Sequence, residues 1–227
     1  MNTSPNKNFD TRPLSERTYE FIVDQITSGA LVFGDAINAE SIAKELGIST
    51  MPVREAIKRL AFESIVEIKP RSKVLLKEPS RDSVLELIEA REFVEIFAVE
   101  KYLRDSQPVG THQLKDITVK MKKIIESGDM QAHLNEFLSL DRRFHKKLSE
   151  LSRNRFLINF YKIINLQVSM TFIYSISEYQ LDPQRASEHL DIMHYLEARS
   201  HKAINAVKDH LQYFKQLTIN KMRINKS

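Results

Sequence analysis

Hydrophobic residues recur at helical spacing between Thr50 and Ser64, in the most informative segment of the chain. The apolar positions stand at i, i+3, i+4 and i+7, in Val53, Ala56, Ile57 and Leu60. This spacing predicts a helix with one buried stripe. Arg54 and Lys58 fall one turn apart on a different face, so we expect both side chains to point outward. Pro52 lies in the first predicted turn, where its missing N–H costs nothing.

A shorter amphipathic segment precedes this helix. It runs over 39–46, where Asn38 is placed to cap the start and Gly47 to end the helix in the left-handed conformation. A further helix is predicted over 14–28. A helix, a three-residue turn and a second helix with outward basic residues form a helix-turn-helix. DNA binding is therefore the leading hypothesis for this part of the chain.

Two short runs with alternating apolar residues follow, over 65–68 and 73–76. They flank a basic turn and predict a β-hairpin, which after a helix-turn-helix is a wing. Arg71 and Lys73 at its tip are placed to meet a groove or a phosphate. Between 49 and 77, seven basic residues stand against three acidic ones. Such a stripe neutralises phosphates in DNA-binding proteins, although a solvated charged surface is the commoner explanation of a charge run.

From Pro79 onward the periodicity is helical throughout. Helices are predicted over 80–105, 111–127, 130–152, 154–178, 183–199 and 201–222, which together make an antiparallel bundle. The expected fold class is mainly α: an N-terminal winged helix-turn-helix domain followed by an all-helical antiparallel bundle. The expected boundaries are a disordered lead-in at 1–11, the winged domain at 12–78, a hinge at 79–82 and the helical domain at 83–222.

Four polar side chains fall on the apolar stripes of three different helices in the second domain. Asp141 and His145 lie one turn apart on one helix, His189 lies on the next but one, and His210 lies on the last. Burying such groups without partners would cost about 1–3 kcal/mol each. A shared divalent cation would remove that cost, because ligands four residues apart on a helix can bind the same ion. Zinc is expected first, with nickel, manganese or iron as alternatives.

Two explanations of the inward polar residues remain open at this point. A single inward His is more often a hydrogen-bonded core residue than a ligand, whereas three with an adjacent Asp favour a metal site. Arg91 and Glu95 likewise share an inward face of the first helix of this domain. They form either a plain ion pair in the core or, through Arg91, a fork of donors for a carboxylate effector. The remaining histidines are predicted at the surface or at an interface: His112, His133, His194 and His201.

Composition narrows the class of protein in two ways. The chain of 227 residues contains no Cys, which excludes disulfides, thiolate metal sites and a cysteine nucleophile. No apolar run approaches the roughly 20 residues of a membrane span, and residues 1–8 lack the apolar core of a signal peptide. We therefore expect no membrane partner and a cytoplasmic location.

Residues 12–78 resemble the DNA-binding domain of the GntR superfamily of bacterial transcription regulators, in its FadR-like branch. The resemblance rests on Leu46-Gly47-Ile48-Ser49 and on Pro52-Val53-Arg54-Glu55-Ala56-Ile57. In that family the arginine matching Arg54 touches DNA. Thr50 stands where the family usually has an arginine, which predicts an operator half-site that departs from the usual one. The expected DNA contacts are Ser49, Thr50, Met51, Arg54, Lys58, Arg59, Arg71 and Lys73.

Residues 80–222 resemble the all-helical FCD effector domain of the same branch. Asp141-Arg142-Arg143-Phe144-His145 matches its Asp-x-x-Phe-His motif, and the segments at His189 and His210 match its other ligand segments. In metal-binding members of the family, the matching residues hold a divalent ion at the floor of the effector cavity. The resemblance therefore implies a divalent metal at these four positions. It also implies effector contacts at Arg91 and Asn154, to which we add Glu95 as the inward neighbour of Arg91.

These features together predict a ligand-responsive transcription regulator rather than an enzyme. As a homodimer it would bind double-stranded operator DNA, since two-fold symmetry doubles the few base pairs that one helix contacts. A small organic acid bound beside the metal would change the DNA affinity, and repression is the expected sign. Two alternatives are a metal-sensing regulator, in which the ion is the signal, and a metal-dependent hydrolase.

Overall fold

The computed structural model describes residues 11–70, 73–106, 110–176 and 182–224. Apart from Thr11, the predicted lead-in falls outside these ranges, and so does Arg71 at the predicted wing tip. Contacts divide the chain into two units, Met1–Glu78 and Pro79–Ser227. Each unit is therefore described by itself.

The N-terminal unit contains three helices and one hairpin. The helices are α1 (Leu14–Thr27), α2 (Ala39–Leu46) and α3 (Thr50–Phe62), and the strands are β1 (Val66–Lys69) and β2 (Lys73–Leu76). The strands pair antiparallel with Val66 opposite Leu76, and Ala36 adds an isolated bridge to Leu75. The unit is a winged helix-turn-helix, as its periodicity predicts.

Local signals in the sequence fix the turn between α2 and α3. The Asn38 side chain accepts a hydrogen bond of 2.8 Å from the Ser41 N–H and so caps α2. Gly47 ends that helix with a φ of 66°, a left-handed conformation that costs other residues energy. The predicted stripe of α3 is fully covered, with Val53, Ala56, Ile57 and Leu60 all buried.

The C-terminal unit is all-helical in its described part. It contains α4 (Arg81–Arg104), α5 (Thr111–Glu126), α6 (Leu134–Glu150), α7 (Arg155–Ile176), α8 (Pro183–Ala186), α9 (Glu188–Glu197) and α10 (Lys202–Ile224). Helix α4 packs against α6, α7 and α10, while α5 packs against α6 and α9. The mainly α fold class is confirmed. Among the described residues, no helix is both long and apolar enough to cross a bilayer.

Three boundaries differ from the sequence-based expectation. The helix expected from 130 begins at Leu134, because a turn that Asp129 closes by accepting from the Ala132 N–H precedes it. The helix expected over 183–199 is broken at Ser187, whose hydroxyl donates to the Gln184 carbonyl and competes with the backbone ladder. The expected hinge at 79–82 overlaps the first turn of α4, which Ser80 caps.

Candidate functional site

The structure brings four predicted polar residues of the C-terminal unit together at one point. Asp141 and His145 come from α6, His189 from α9 and His210 from α10. One ligand atom from each of the four lies within 4.8 Å of the others. Asp141, His145 and His189 are buried, and His210 is nearly so. The three helices therefore converge on a compact set of three nitrogens and one oxygen.

The apolar stripes of the three helices position this cluster. On α6 the neighbouring Phe137, Phe144 and Leu148 are buried in the main core of the unit. That core also contains Ile192 of α9 and Val207 of α10. Asp141 and His145 are four residues apart, so both fall on the same face of α6. The packing of these apolar stripes thus brings the four polar side chains to one point.

The imidazole rings share one orientation pattern. Each Nδ1 faces an acceptor: Glu95 Oε2 at 2.8 Å for His145, the Ala186 carbonyl at 3.1 Å for His189, and Glu188 Oε2 at 2.9 Å for His210. Donation through Nδ1 directs the other nitrogen toward the centre of the cluster. His145 Nε2 is indeed 3.1 Å from His210 Nε2, and His189 Nε2 is 2.9 Å from Asp141 Oδ1.

Burial and neighbouring charges shift the pKa values of three of the four cluster residues. Burial would raise the pKa of Asp141, but His145 and His189 hold it well below its usual range. Burial and the neighbouring His189 lower the pKa of His210 to about 4, so its imidazole is neutral at pH 7. Burial and Arg91 act to lower the pKa of His145, yet Glu95 and Asp141 outweigh them and raise it. An anionic carboxylate beside imidazoles is a donor set that fits zinc and other borderline divalent metals.

Hydrogen bonding also satisfies these groups without a metal. Within the described part of the chain, no buried side-chain nitrogen or oxygen lacks a hydrogen-bond partner. A hydrogen-bonded polar core therefore accounts for these contacts, and the convergence of four ligand atoms is what favours a metal. Histidines outside the cluster show the contrast, since His112 and His133 are exposed beside carboxylates and His194 and His201 are exposed as well.

Arg91 and Glu95 form the ion pair that their spacing predicts, and it lies next to the cluster. Arg91 Nε donates to Glu95 Oε1 over 2.7 Å, and the hydroxyl of Tyr161 donates to the same oxygen over 2.5 Å. Burial would raise the pKa of Glu95, but His145 and Arg91 lower it to about 2. Both oxygens of this buried carboxylate thus accept hydrogen bonds from protein side chains, including a candidate metal ligand.

Asn154 has a local structural role in the described chain. Its side-chain oxygen accepts hydrogen bonds from the N–H groups of Phe156 and Leu157, at 3.0 and 3.4 Å. These contacts cap the start of α7. The Asn154 side-chain oxygen is therefore already bonded to backbone N–H groups. The predicted contact between Asn154 and an effector stays a prediction.

The predicted DNA-contacting side chains differ in what they touch. Ser49, Met51, Lys58 and Lys73 are exposed, and Thr50 is half-buried. Arg54 is exposed and pairs with Glu40 of α2 at 3.2 Å. Arg59 instead bonds Glu63 at 3.0 Å, with its guanidinium 3.8 Å from the centre of the Tyr19 ring. Arg54 and Lys58 are therefore available to DNA, whereas Arg59 is held against α1.

Two residues of the polar cluster escaped the sequence analysis. Tyr161 is a buried residue of α7, and its hydroxyl donates a hydrogen bond to Glu95 of α4. Glu188 directly precedes His189 in the chain but contacts His210 on another helix. Periodicity assigns a residue to a face of its own helix, so neither contact could be found in this way.

Comparison with known proteins identifies both units. Residues 14–75 match the family described as bacterial regulatory proteins, gntR family, and residues 86–213 match the FCD domain. The chain is 24% identical over 185 residues to a probable D-xylose utilization operon transcriptional repressor of Paenarthrobacter nicotinovorans, covering 82% of this chain and 79% of that protein. It is 28% identical over 111 residues to the HTH-type transcriptional regulator McbR of Escherichia coli, covering 49% of this chain and 50% of McbR.

The fold also matches solved structures. The structure of E. coli McbR/YncC superimposes with a TM-score of 0.77 at 18% identity, covering 93% of this chain and all of that chain. A putative GntR transcriptional regulator from Rhodococcus sp. RHA1 gives a TM-score of 0.78 at 17% identity, covering 91% of this chain and 97% of that one. At these identities the likeness concerns the fold alone.

Proposed function

The chain belongs to the GntR family of bacterial regulatory proteins and carries an FCD domain, and we propose that it is an operator-binding repressor of the FadR-like branch controlled by a small carboxylate. It is a transcriptional regulator and not an enzyme, which removes the metal-dependent hydrolase from the alternatives. Control by a carboxylate bound beside a metal is supported by the convergence of four ligand atoms within 4.8 Å. The N-terminal unit would supply the DNA contacts and the FCD domain the control.

The proposed metal ligands are Asp141, His145, His189 and His210. Their three imidazoles already direct Nε2 inward, so binding would require no change of ring orientation. Zinc is the first expectation for such a set, and nickel, manganese or iron would also accept it. A metal bound there would act as a Lewis acid that holds an oxygen of the effector.

The proposed effector contact is Arg91, whose guanidinium is buried in the same region. Its Nε is bonded to Glu95, which orients the planar fork, and the terminal nitrogens would bind a carboxylate in bidentate fashion. Glu95 itself is better explained as the group that holds Arg91 and His145, since its oxygens serve those residues. A carboxylate effector would therefore bind the terminal nitrogens of Arg91, while Glu95 holds the Nε of the same guanidinium.

The proposed DNA contacts lie on α3 and on the wing. Arg54 and Lys58 project from the exposed face of α3, at the position of a recognition helix. Lys73 begins β2 beside the wing tip, where a phosphate contact would fix the orientation of the protein on DNA. A cytoplasmic location follows from operator binding.

We further propose that two copies of this chain form the operator-binding dimer through the FCD domain. Phe93 on α4 and Phe156 on α7 are exposed by 64% and 71%, which is unusual for large aromatic residues. Phe93 lies in a mainly acidic groove lined by Glu89, Glu92, Glu100 and Lys208, whereas the guanidinium of Arg155 lies 4.9 Å from the centre of the Phe156 ring. A two-fold axis would bring the acidic groove of one copy to Arg155 and Phe156 of the other.

The dimer proposal is tested by sedimentation of purified protein. Replacing Phe93 by Asp should convert dimers to monomers at micromolar concentration, because the new carboxylate would be buried without a partner. Val119→Asp is the matched control, since Val119 is an exposed apolar residue on α5. Monomeric wild-type protein, or a dimer that persists in Phe93→Asp, would remove this face from consideration.

The regulator proposal is tested by metal analysis combined with DNA binding. Purified protein is stripped with a chelator, reloaded with zinc and titrated with operator fragments in the presence and absence of carboxylic acids. We expect about one zinc per chain and release of DNA by a carboxylate only in the zinc form. Release by zinc alone would favour the metal-sensing alternative. Binding of no divalent metal would refute the metal centre while leaving the DNA-binding function intact.

A further inference from the structure

Glu188 connects the candidate metal centre to the edge of the FCD domain. It is the first residue of α9, and its side chain is 20% exposed. One carboxylate oxygen lies 2.9 Å from His210 Nδ1, and the other accepts a hydrogen bond of 2.6 Å from Arg185 Nη1 on α8. The carboxylate thus bridges a surface cation and an inward imidazole.

The three candidate imidazole ligands are oriented by two glutamate carboxylates and one backbone carbonyl. His145 faces the fully buried Glu95, and His189 faces a backbone carbonyl of α8. His210 is oriented by Glu188, a side chain near the surface that comes from a different helix. Its geometry therefore depends on how α9 and α10 are placed and on what else holds Glu188.

Arg185 supplies that second restraint. Its guanidinium lies 4.2 Å from the centre of the Tyr213 ring on α10, while Nη1 is bonded to Glu188. The short helix α8 is thereby tied to α10 beside His210. In this arrangement one oxygen of Glu188 faces His210 Nδ1 while Arg185 holds the other.

We infer that Glu188 is a positioning residue of the metal centre, which acts through His210, and that Arg185 holds Glu188 in place. The inference rests on the proposed metal binding at Asp141, His145, His189 and His210. A carboxylate that accepts from Nδ1–H fixes the tautomer with its lone pair on Nε2 and increases the basicity of the ligand. Neither effect requires Glu188 to touch the metal.

The experiment measures zinc affinity by competition with a chromophoric chelator, using the full chain. Substitution of an outer partner of a ligating His typically lowers metal affinity about 10–100-fold, so this loss is expected for Glu188→Ala. Glu188→Gln keeps the shape and an acceptor oxygen but loses the charge, and we expect a smaller loss than in Glu188→Ala, of roughly tenfold. Arg185→Ala should lower the affinity by a smaller factor than Glu188→Ala, because it leaves the bond to His210 intact.

Glu150 provides a matched control. It pairs with Lys147 over 2.6 Å at i,i+3 spacing, just as Glu188 pairs with Arg185 over 2.6 Å, and its side chain is 31% exposed against 20% for Glu188. Glu150→Gln removes the same kind of ion pair from a site without a candidate ligand. Its zinc affinity should equal that of the wild type.

A double-mutant cycle separates positioning from a general structural role. His210→Ala alone should weaken zinc binding, and adding Glu188→Ala to it should cause no further loss, because the bond through which Glu188 acts is already absent. The melting temperature of metal-free Glu188→Ala should stay close to that of the metal-free wild type. An equal loss of affinity in both backgrounds would show that Glu188 does not act through His210.

The possible failures are distinguishable. A wild-type protein without zinc affinity refutes the metal centre itself. Normal zinc affinity in the wild type and in Glu188→Ala refutes the positioning role alone. If Glu188→Ala does not fold, the isosteric Glu188→Gln decides, and a wild-type affinity in that variant overturns the inference.

Discussion

The buried pair between Arg91 and Glu95 gives the sharpest test of the polar network in the FCD domain. Arg91 is 4% exposed and Glu95 is 0% exposed, with 2.7 Å between their bonded atoms. Glu95→Ala would leave the guanidinium buried without its anion. Removing one partner of a buried ion pair typically costs about 3–5 kcal/mol, because the remaining charge is desolvated and uncompensated. The Tyr161 hydroxyl and the His145 Nδ1 would lose their acceptor as well.

The assay is urea unfolding followed by circular dichroism, with a chelator present so that metal binding does not contribute. Glu126→Ala is the control, because Glu126 and Lys122 on α5 also stand at i,i+4 but are exposed, 3.6 Å apart. Exposed pairs of this kind contribute about 0.3–0.5 kcal/mol. We therefore expect Glu95→Ala to lower the free energy of unfolding by several times the effect of Glu126→Ala. A loss below about 1 kcal/mol for Glu95→Ala would refute the reasoning.

Three further predictions concern the DNA-binding unit and the metal centre. Arg54→Ala should weaken operator binding by about 1–3 kcal/mol in a fluorescence anisotropy titration if Arg54 contacts a base, and unchanged binding would remove it from the interface. Arg59→Ala should lower thermal stability while leaving the salt dependence of DNA binding unchanged, because Arg59 is bonded to Glu63; a shallower salt slope would show a phosphate contact instead. His145→Ala should abolish most zinc binding by elemental analysis, whereas the exposed His194→Ala should retain it; equal metal content in both would contradict the proposed site.

Periodicity and capping chemistry are sufficient to predict the helix-turn-helix. The stripe from Val53 to Leu60 spans eight residues, and the cap at Asn38 and the left-handed Gly47 act within four residues. Each signal is local in sequence, so it can be recognised without knowing the rest of the structure. The same holds for Asp141 and His145, whose shared face follows from helical spacing alone.

Local signals do not predict the break between α8 and α9. They also do not predict which carboxylates face the Nδ1 atoms of His145 and His210. The hydrophobic periodicity of the sequence continues past Ser187. The helix is nevertheless interrupted there, because the Ser187 hydroxyl bonds the Gln184 carbonyl and competes with the backbone hydrogen bonds. The contacts of Glu95 with His145 and of Glu188 with His210 span 50 and 22 residues. Such pairs depend on how helices pack, and a single sequence specifies only which face each residue occupies.

Glu95 also connects Arg91, the proposed effector contact, with His145, a proposed metal ligand. One of its oxygens holds Arg91 and the other holds His145, so an effector carboxylate that pulls on Arg91 acts on the same group that orients a metal ligand. Binding free energies of two linked ligands are coupled equally in both directions. If a carboxylate raises the zinc affinity by some factor, zinc must raise the carboxylate affinity by the same factor. Glu95→Gln, which keeps the shape but removes the charge, should reduce that factor. An unchanged factor in Glu95→Gln would place the coupling elsewhere, in direct contact between the carboxylate and the metal.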